Sequence, residues 1–310
     1  MGATDGRYAP SPSGTLHLGN LRTALLAWLR ARSTGGAFHL RIDDLDRQRS
    51  RAEHEAGQLA DLRALGIDWD GPVPRQSTRD AVYEAAFARL READLAYPCW
   101  CTRAEIREAA AAPHGPGAEG RYPGTCRDLD AAGRAARAAA AAGRPPAWRV
   151  RAGAAERTID DLVLGPVHGI VDDVVLRRGD GTFAYHLAVV LDDHEQGVRE
   201  VVRGADLADS APTQAWLAEL LGATVPRYAH VPLVLGPDGR RLAKRDGAVT
   251  LADRRALGET PDDVRAALLS SVGVCAPEER PSLADLVARF DLAVLRGRGP
   301  TRWDPADGAR

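Results

Sequence analysis

Apolar positions in the first third of the chain switch between short runs and helical spacing. Residues 7–9 and 38–42 are short runs typical of strands, whereas leucines recur every three or four positions over residues 18–32. A second helix is predicted over residues 52–65. The order strand–helix–strand–helix is typical of a parallel sheet of Rossmann type. We therefore expect an α/β fold with a Rossmann-type core.

The pattern changes after residue 97. Residues 99–126 hold three of the four cysteines among glycines and prolines, and an alanine-rich helix with little to pack against follows over 131–142. Residues 148–178 have the pattern of strands, ending at a turn over 179–181. This change in composition and hydrophobic pattern predicts a small module inserted into the core.

Sheet-like patterning returns over residues 183–202, and another helix is predicted over residues 210–221. The last part of the chain, from residue 245, has the pattern of helices followed by a charged, frayed tail. Four units are therefore expected. They are a first half of the core (1–96), an insertion (97–182), a second half of the core (183–250) and a short helical C-terminal domain (251–310).

Composition narrows the class of protein. The chain has 310 residues, of which 45% are hydrophobic and 27% charged, as in ordinary soluble proteins. The net charge of −2 gives no overall attraction to nucleic acid, so RNA binding would depend on local arginines of the insertion and C-terminal helices. Residues 1–7 lack the apolar core of a signal peptide, and no apolar stretch is long enough to span a bilayer. A cytoplasmic monomer that does not bind membranes is expected.

Lys244 is the only lysine, and every other fixed cation is an arginine. Lysine is a compact point charge on a flexible stem, which suits contact with a phosphate that moves during a reaction. The alternative is drift, because an alanine- and arginine-rich composition replaces lysine generally. The count alone leaves both explanations open.

A candidate phosphate site lies where a Pro/Gly-rich turn over residues 10–14 meets the first predicted helix. A helix N-terminus offers unpaired N–H groups and the positive end of the helix dipole. Gly19 allows a base or ribose to approach the backbone, and His17 and Asn20 could donate to charge that develops on a phosphoryl group. The alternative is a simple helix cap with an incidental histidine.

Residues 7–20 (RYAPSPSGTLHLGN) resemble the first signature of the class I aminoacyl-tRNA synthetases in its glutamate-type form. Residues 240–245 resemble the second signature, the mobile lysine loop. Three further segments, at 41–46, 183–188 and 202–207, resemble segments of the glutamyl group. The resemblance implies that ATP binds between the two signatures and that the amino acid is joined to its α-phosphate, with Mg²⁺ arriving with ATP.

The resemblance also implies roles for individual residues. His17, Asn20 and Lys244 would be catalytic, and with Gly19 they would bind ATP. L-Glutamate would be bound by Arg7, Tyr8, Ala9, Pro10, Ser11, Asp43, Tyr185 and Arg203. Asp43 departs from the family, in which this position is usually glutamate. The shorter side chain would require either a closer backbone or a bridging water.

Cys99, Cys101 and Cys126 are candidate ligands of one structural zinc ion. By chemistry the fourth ligand would be His114, whereas resemblance to the short glutamyl-queuosine group of synthetases implies Tyr122. Three buried free cysteines are the alternative. Cys275 is expected to be an ordinary core residue.

A run of acidic residues at 192–193, followed by His194, could be mistaken for a metal site. Three consecutive side chains rarely converge on one ion. We interpret the run as the end of an apolar strand with a structural role, or as indirect support for the amino-acid pocket.

Only 66 residues follow Lys244, too few for an anticodon-reading module of typical domain size. This architecture resembles the glutamyl-queuosine group, whose members activate glutamate with ATP and transfer it to queuosine at the wobble position of tRNA(Asp). The alternatives are a truncated synthetase that charges a tRNA 3′ end, and a non-catalytic synthetase-like protein that binds RNA.

Overall fold

The structure is a computed structural model that describes residues 2–111, 122–240, 242, 246–247, 249–304 and 308–309. Lys244 and His114 lie outside the described residues. The described helices are α1 (Leu18–Ser33), α2 (Ala52–Ala64), α3 (Asp80–Glu92), α4 (Arg103–Ala111), α5 (Ala131–Ala140), α6 (Tyr185–Glu195), α7 (Ala211–Leu221), α8 (Leu251–Ala256), α9 (Pro261–Ser270) and α10 (Leu283–Arg289). The described strands are β1 (Gly6–Tyr8), β2 (Phe38–Leu40), β3 (Ala96–Cys99), β4 (Ala147–Val150), β5 (Glu156–Asp161), β6 (Gly165–Ile170), β7 (Val175–Arg177), β8 (Glu200–Gly204), β9 (Arg227–Val231), β10 (Val234–Leu235), β11 (Thr301–Asp304) and β12 (Gly308–Ala309).

The core contains parallel strands, as the strand–helix pattern predicts. β1 pairs with β2 in parallel, and β8 pairs with β9 in parallel. β8 lies beside β1, where the backbone N–H groups of Arg199 and Glu200 donate to the carbonyl of Asp5 at 2.9 and 3.1 Å. These four strands carry the predicted Rossmann-type core, and their carboxyl ends face the same edge.

Helix α1 connects β1 to β2 and packs against the sheet. Its predicted apolar stripe is buried in the main core cluster, together with residues of β2, β9 and α9. The buried stripe consists of Leu18, Leu21, Leu25, Leu26 and Leu29. The helical spacing therefore predicts both the element and the face that it buries.

The segment after residue 183 differs from the prediction. Residues predicted to end an apolar strand at 192–194 lie instead in α6, and β8 begins only at Glu200. Seven of the first nine residues of α6 are buried, so the stretch lacks a polar face. A continuous apolar run of this kind does not distinguish a strand from a buried helix.

The cysteine-bearing part of the chain is built on an antiparallel sheet of β3, β4 and β7. The exposed helix α5 buries none of its residues, as its alanine-rich sequence predicts. The hairpin of β5 and β6 packs instead against α7 and β9 of the core, and the N–H of Leu162 donates to Tyr228 O at 2.9 Å. The division into four units remains a prediction.

The C-terminal part contains α8, α9 and α10, in agreement with the helical prediction. The tail, however, is not frayed as far as residue 304. β11 pairs in parallel with β10 and buries Trp303, with the guanidinium of Arg254 over its indole ring. A single buried tryptophan in a charged segment carries no periodicity, so the pattern did not reveal this strand. None of the described helices is both long and apolar enough to cross a membrane.

Candidate active site

A cavity of about 570 Å³ opens where the carboxyl ends of β1 and β8 meet the start of α1. This edge of a parallel α/β sheet is where such folds bind ligands. The predicted residues that line the cavity are Arg7, Tyr8, Ala9, Pro10, Ser11, His17, Gly19, Asn20, Asp43, Tyr185 and Arg203. The structure therefore brings together every predicted substrate-binding residue except Lys244, which lies outside the described residues.

His17 caps α1. Its Nδ1 accepts a hydrogen bond from the N–H of Asn20 at 3.2 Å, and Asn20 Oδ1 accepts from the N–H of His17 at 3.3 Å. His17 is therefore the helix cap that the alternative expects, while its role at a phosphate remains a prediction. Because Nδ1 is an acceptor, the proton of the neutral ring lies on Nε2, which is the atom able to donate to a ligand.

Gly19 is closely packed at the same place. A Cβ at this position would lie 3.0 Å from the His17 ring and 3.2 Å from the Cβ of Val234. The start of α1 is also bonded to the segment that follows the lysine motif, since the N–H of Leu18 donates to Val249 O at 2.8 Å. The described residues next to the lysine motif thus lie at the first turn of α1, while the position of Lys244 remains a prediction.

Arg7 and Arg41 are buried beneath the cavity and share one carboxylate. Arg7 donates to the two carboxylate oxygens of Asp193 at 3.1 and 3.3 Å, and Arg41 donates to Asp193 Oδ1 at 2.7 Å. Burial raises the pKa of Asp193, but the charges of Arg7 and Arg41 outweigh this effect and hold the pKa below its ordinary value. The acidic run therefore supports the pocket, although it does so from a helix.

Asp43 reaches the same network from the end of β2. Its Oδ1 accepts from Arg41 Nε at 2.7 Å, and its backbone N–H donates to Pro10 O at 2.9 Å. Loss of hydration raises the pKa of Asp43 to about 6, because the charge of Arg41 offsets only part of this effect. The backbone hydrogen bond to Pro10 therefore holds Asp43, whose side chain is shorter than the usual glutamate, close to the turn over residues 10–14.

Arg203 is equally buried but has different partners. Its guanidinium donates to His230 Nε2 at 3.0 Å, Gln214 Oε1 at 2.7 Å, and Leu207 O and Ser210 Oγ at 3.2 Å each. All four acceptors are neutral groups. Within the described ranges, no carboxylate lies within salt-bridge distance of Arg203, so this cation lines the cavity without a fixed counter-ion. Such a group favours an anionic ligand.

Several residues that shape the cavity were missed by the sequence analysis. Gln58 lines the cavity and donates to Ser11 O at 3.0 Å and Gly14 O at 2.7 Å, which fixes the turn before α1. Arg41 falls inside a family segment, but its buried pairing was not anticipated. His230 follows no motif, and no pattern in the sequence shows that it contacts Arg203.

The cysteine cluster forms a separate site. The sulfur atoms of Cys99, Cys101 and Cys126 lie within 4.8 Å of one another, with Cys101 and Cys126 separated by 3.6 Å. Tyr122 Oη lies 3.3 Å from Cys99 Sγ and 3.6 Å from Cys101 Sγ. Zinc–sulfur bonds of about 2.3 Å in a tetrahedron place sulfur atoms about 3.8 Å apart. The donor set is therefore compatible with zinc.

The electrostatics of the cluster are consistent with this donor set. Burial raises the pKa of Cys101 to about 12, and burial together with the neighbouring thiols raises that of Tyr122. Several thiolates and a phenolate side by side repel one another, whereas a divalent cation among them would stabilise the anions. The guanidinium of Arg149 lies 3.9 Å from the centre of the Tyr122 ring and favours its phenolate.

Comparison with known proteins agrees with this geometry. The family described as class I tRNA synthetases (E and Q), catalytic domain, matches residues 4–279. This chain belongs to that family. Its ATP-dependent chemistry explains why a helix N-terminus and a set of buried arginines share one cavity.

Two curated relatives extend the comparison over nearly the whole synthetase chain. Glutamyl-Q tRNA(Asp) synthetase from Nocardia farcinica is 62% identical over 290 residues, covering 94% of this chain and 90% of the relative. The protein of the same name from Symbiobacterium thermophilum is 48% identical over 310 residues, covering 96% and 95%.

A solved structure shares the fold. The glutamate tRNA ligase from Elizabethkingia meningosepticum, in complex with its amino acid, superposes with a TM-score of 0.81 and 28% sequence identity. The similarity covers 97% of this chain and 67% of that protein. The predicted α/β class I core is thereby confirmed.

Proposed function

We propose that this synthetase uses ATP to activate L-glutamate as glutamyl-adenylate and then transfers the glutamyl group to queuosine at the wobble position of tRNA(Asp). The activation step is carried by one observation. Buried Arg7 and Arg203 and the largely buried carboxylate of Asp43 line the same cavity as the capped start of α1. The acceptor is supported by the names of the two curated relatives.

The cavity offers opposite charges for the amino acid. Asp43 supplies a carboxylate for the α-ammonium group, and Arg203 supplies a guanidinium without a fixed anion for a carboxylate. Arg7, held in place by Asp193, supplies a second cation. Tyr185, whose side chain lies at the edge of the cavity, completes the pocket with Tyr8, Ala9, Pro10 and Ser11.

The nucleotide would lie at the start of α1. His17 Nε2, the amide of Asn20 and the helix dipole stabilise charge that develops on the phosphate oxygens, and Gly19 leaves space for the nucleotide. The α-carboxylate of glutamate attacks the α-phosphorus, and Mg²⁺-bound pyrophosphate leaves. No protein nucleophile is needed. Lys244 would neutralise the leaving group.

Zinc is proposed as a structural ion of the insertion. Cys99, Cys101, Tyr122 and Cys126 would hold it, because their four donor atoms already converge. The cluster contributes no residue to the lining of the cavity, so the ion would stabilise the fold of the insertion and take no part in adenylation.

Glutamate-dependent exchange of pyrophosphate into ATP tests the activation step. We expect exchange with glutamate in the absence of tRNA, and little with glutamine or aspartate. Retention of ATP binding without any exchange would refute the enzyme and favour the RNA-binding alternative.

The acceptor is tested by transfer of labelled glutamate to tRNA(Asp) from hosts with and without queuosine. We expect label only on the queuosine-containing tRNA, and removal of the 3′-terminal adenosine should leave this transfer intact. Equal labelling of both tRNAs, or loss of transfer after removal of the 3′-terminal adenosine, would favour the truncated synthetase that charges a 3′ end.

A further inference from the structure

We propose that Asp161 and His230 act as a positioning pair that holds the guanidinium of Arg203 in the orientation needed to bind a substrate carboxylate. The inference rests on the proposed function, because it assigns these two residues to the same amino-acid pocket. Neither residue lines the cavity, so both would act through Arg203.

The three side chains form a buried chain of hydrogen bonds. Asp161 Oδ2 lies 2.6 Å from His230 Nδ1, and His230 Nε2 lies 3.0 Å from Arg203 Nε. The side chains of Asp161 and His230 are fully buried. Water therefore cannot substitute for either contact without a rearrangement of the core.

The direction of these hydrogen bonds fixes the histidine tautomer. Arg203 Nε–H can only donate, so His230 Nε2 must accept, and the ring proton must lie on Nδ1. Asp161 accepts that proton as a carboxylate. Burial lowers the pKa of His230, which keeps the ring neutral and Nε2 available as an acceptor.

Asp161 is itself anchored by the turn between β5 and β6. Its Oδ1 accepts from the N–H groups of Val163 and Leu164 at 2.9 Å each. Both carboxylate oxygens also accept from the N–H of His230, at 3.1 and 3.2 Å. The carboxylate thus has one fixed orientation, with Oδ2 directed at the imidazole ring.

Arg203 needs such support because its partners are weak. The pocket holds Arg7 with a bidentate carboxylate, whereas Arg203 is held by neutral acceptors alone. The terminal nitrogens of Arg203 bond to Gln214, Leu207 and Ser210, and the rigid imidazole acceptor at Nε adds a contact that limits rotation of the guanidinium plane. The neutral imidazole orients the group without cancelling the charge that the substrate needs.

Asp161→Asn tests the positioning role because it changes the tautomer of His230. The asparagine oxygen would keep the bonds to Val163 and Leu164, which places its NH₂ group against His230 Nδ1. The ring proton must then move to Nε2, where it faces the N–H of Arg203. We expect the KM for glutamate in pyrophosphate exchange to rise roughly 10- to 100-fold, the range for loss of a hydrogen bond to a charged group, with an unchanged KM for ATP.

Two substitutions of His230 separate positioning from packing. Asparagine places its amide near the Nδ1 position and keeps a donor for Asp161, whereas glutamine reaches the Nε2 position and offers an oxygen to Arg203. We expect His230→Gln to retain a glutamate KM closer to that of the wild type than His230→Asn. Equal KM values for the two variants would overturn the proposal, because a packing role does not distinguish the two positions.

Thr158→Ala is the matched control. It removes the exposed contact between Thr158 Oγ1 and His168 Nδ1 on the same hairpin, and its glutamate KM should equal that of the wild type. Folding of each variant is checked by thermal melting. A folded Asp161→Asn protein with an unchanged glutamate KM would refute the positioning role. Absence of exchange in the wild type would instead refute the proposed function.

Discussion

Arginine side chains around the cavity differ in what surrounds them, and this difference determines what each can do. Arg7 and Arg41 share Asp193, so their guanidinium groups are fixed before any substrate arrives. The carboxylate of Asp43 accepts a hydrogen bond from Arg41, and loss of hydration raises the pKa of Asp43 to about 6. At the residue scale, the amino-acid pocket is therefore preorganised by ion pairs beneath it.

The raised pKa of Asp43 predicts a pH dependence. Below about pH 6 the carboxyl is protonated and no longer pairs with the α-ammonium group of glutamate. We expect kcat/KM for glutamate to fall between pH 7 and pH 5, approaching tenfold per pH unit at the acid end, because this ratio reports ionisation in the free enzyme.

Asp43→Asn provides the comparison for this profile. The variant should activate glutamate poorly at every pH, and its profile should lose the component near pH 6. A wild-type profile that stays flat down to pH 5 would contradict the assignment of the α-ammonium group to Asp43.

Lys244→Arg tests whether the single lysine reflects chemistry or drift. The substitution keeps the charge, but a planar guanidinium cannot follow a moving phosphate as a point charge can. We expect pyrophosphate exchange to fall on the order of 10²-fold, with an unchanged melting temperature. Exchange close to that of the wild type would support drift.

Site residues that stand in continuous motifs could be predicted, whereas the distant residues that hold them in place could not. Arg7, His17 and Asp43 stand in recognisable segments, and all line the cavity. Asp193 is separated from Arg7 by 186 positions, and Asp161 from His230 by 69. Contacts over such separations leave no periodic signal in one sequence, so only the folded chain reveals them.

At the scale of elements, α1 combines two roles at its first turn. Its apolar stripe is buried in the core, while its N-cap presents an imidazole to the cavity. The spacing of leucines made this helix predictable. Helix α6 was missed because its apolar residues continue without a polar face, and the two aspartates near its end are buried in ion pairs.

Substitutions of His17 separate capping from catalysis. His17→Asn keeps a strong N-cap residue and should retain stability, whereas His17→Ala should lose about 1 kcal/mol from the free energy of unfolding. Both remove the Nε2 donor, so both should reduce pyrophosphate exchange on the order of 10²-fold. Thermal melting and exchange are measured on the same samples. An asparagine variant with normal exchange would limit His17 to a capping role.

At the scale of the whole molecule, the part of the chain between β3 and β7 packs in two different places. The cysteine cluster belongs to its own small hydrophobic cluster, with Tyr97, Ile106 and Leu129. The hairpin of β5 and β6 packs on the core and supplies Asp161. The change in sequence pattern predicted an insertion, but no local pattern showed that its hairpin contacts His230, the residue that bonds to Arg203.

Zinc binding should depend on Tyr122. We expect about one zinc ion per purified chain, and an affinity at least about tenfold lower in Tyr122→Phe, measured by competition with a chromogenic chelator. His114→Ala is the control, since histidine is the alternative ligand. Full zinc binding by Tyr122→Phe combined with weak binding by His114→Ala would assign the fourth position to His114.

The neutral surroundings of Arg203 have a consequence for the choice between glutamate and glutamine. Beneath the cavity, the positive charges of Arg7 and Arg41 face the negative charges of Asp43 and Asp193, so these four groups cancel. The four hydrogen-bond acceptors of Arg203 are neutral, and no carboxylate of the described residues lies within salt-bridge distance of its guanidinium. The side-chain carboxylate of glutamate would give this cation an anionic partner. The amide of glutamine is neutral and would leave the buried cation without one, so the pocket can reject glutamine by charge as well as by shape.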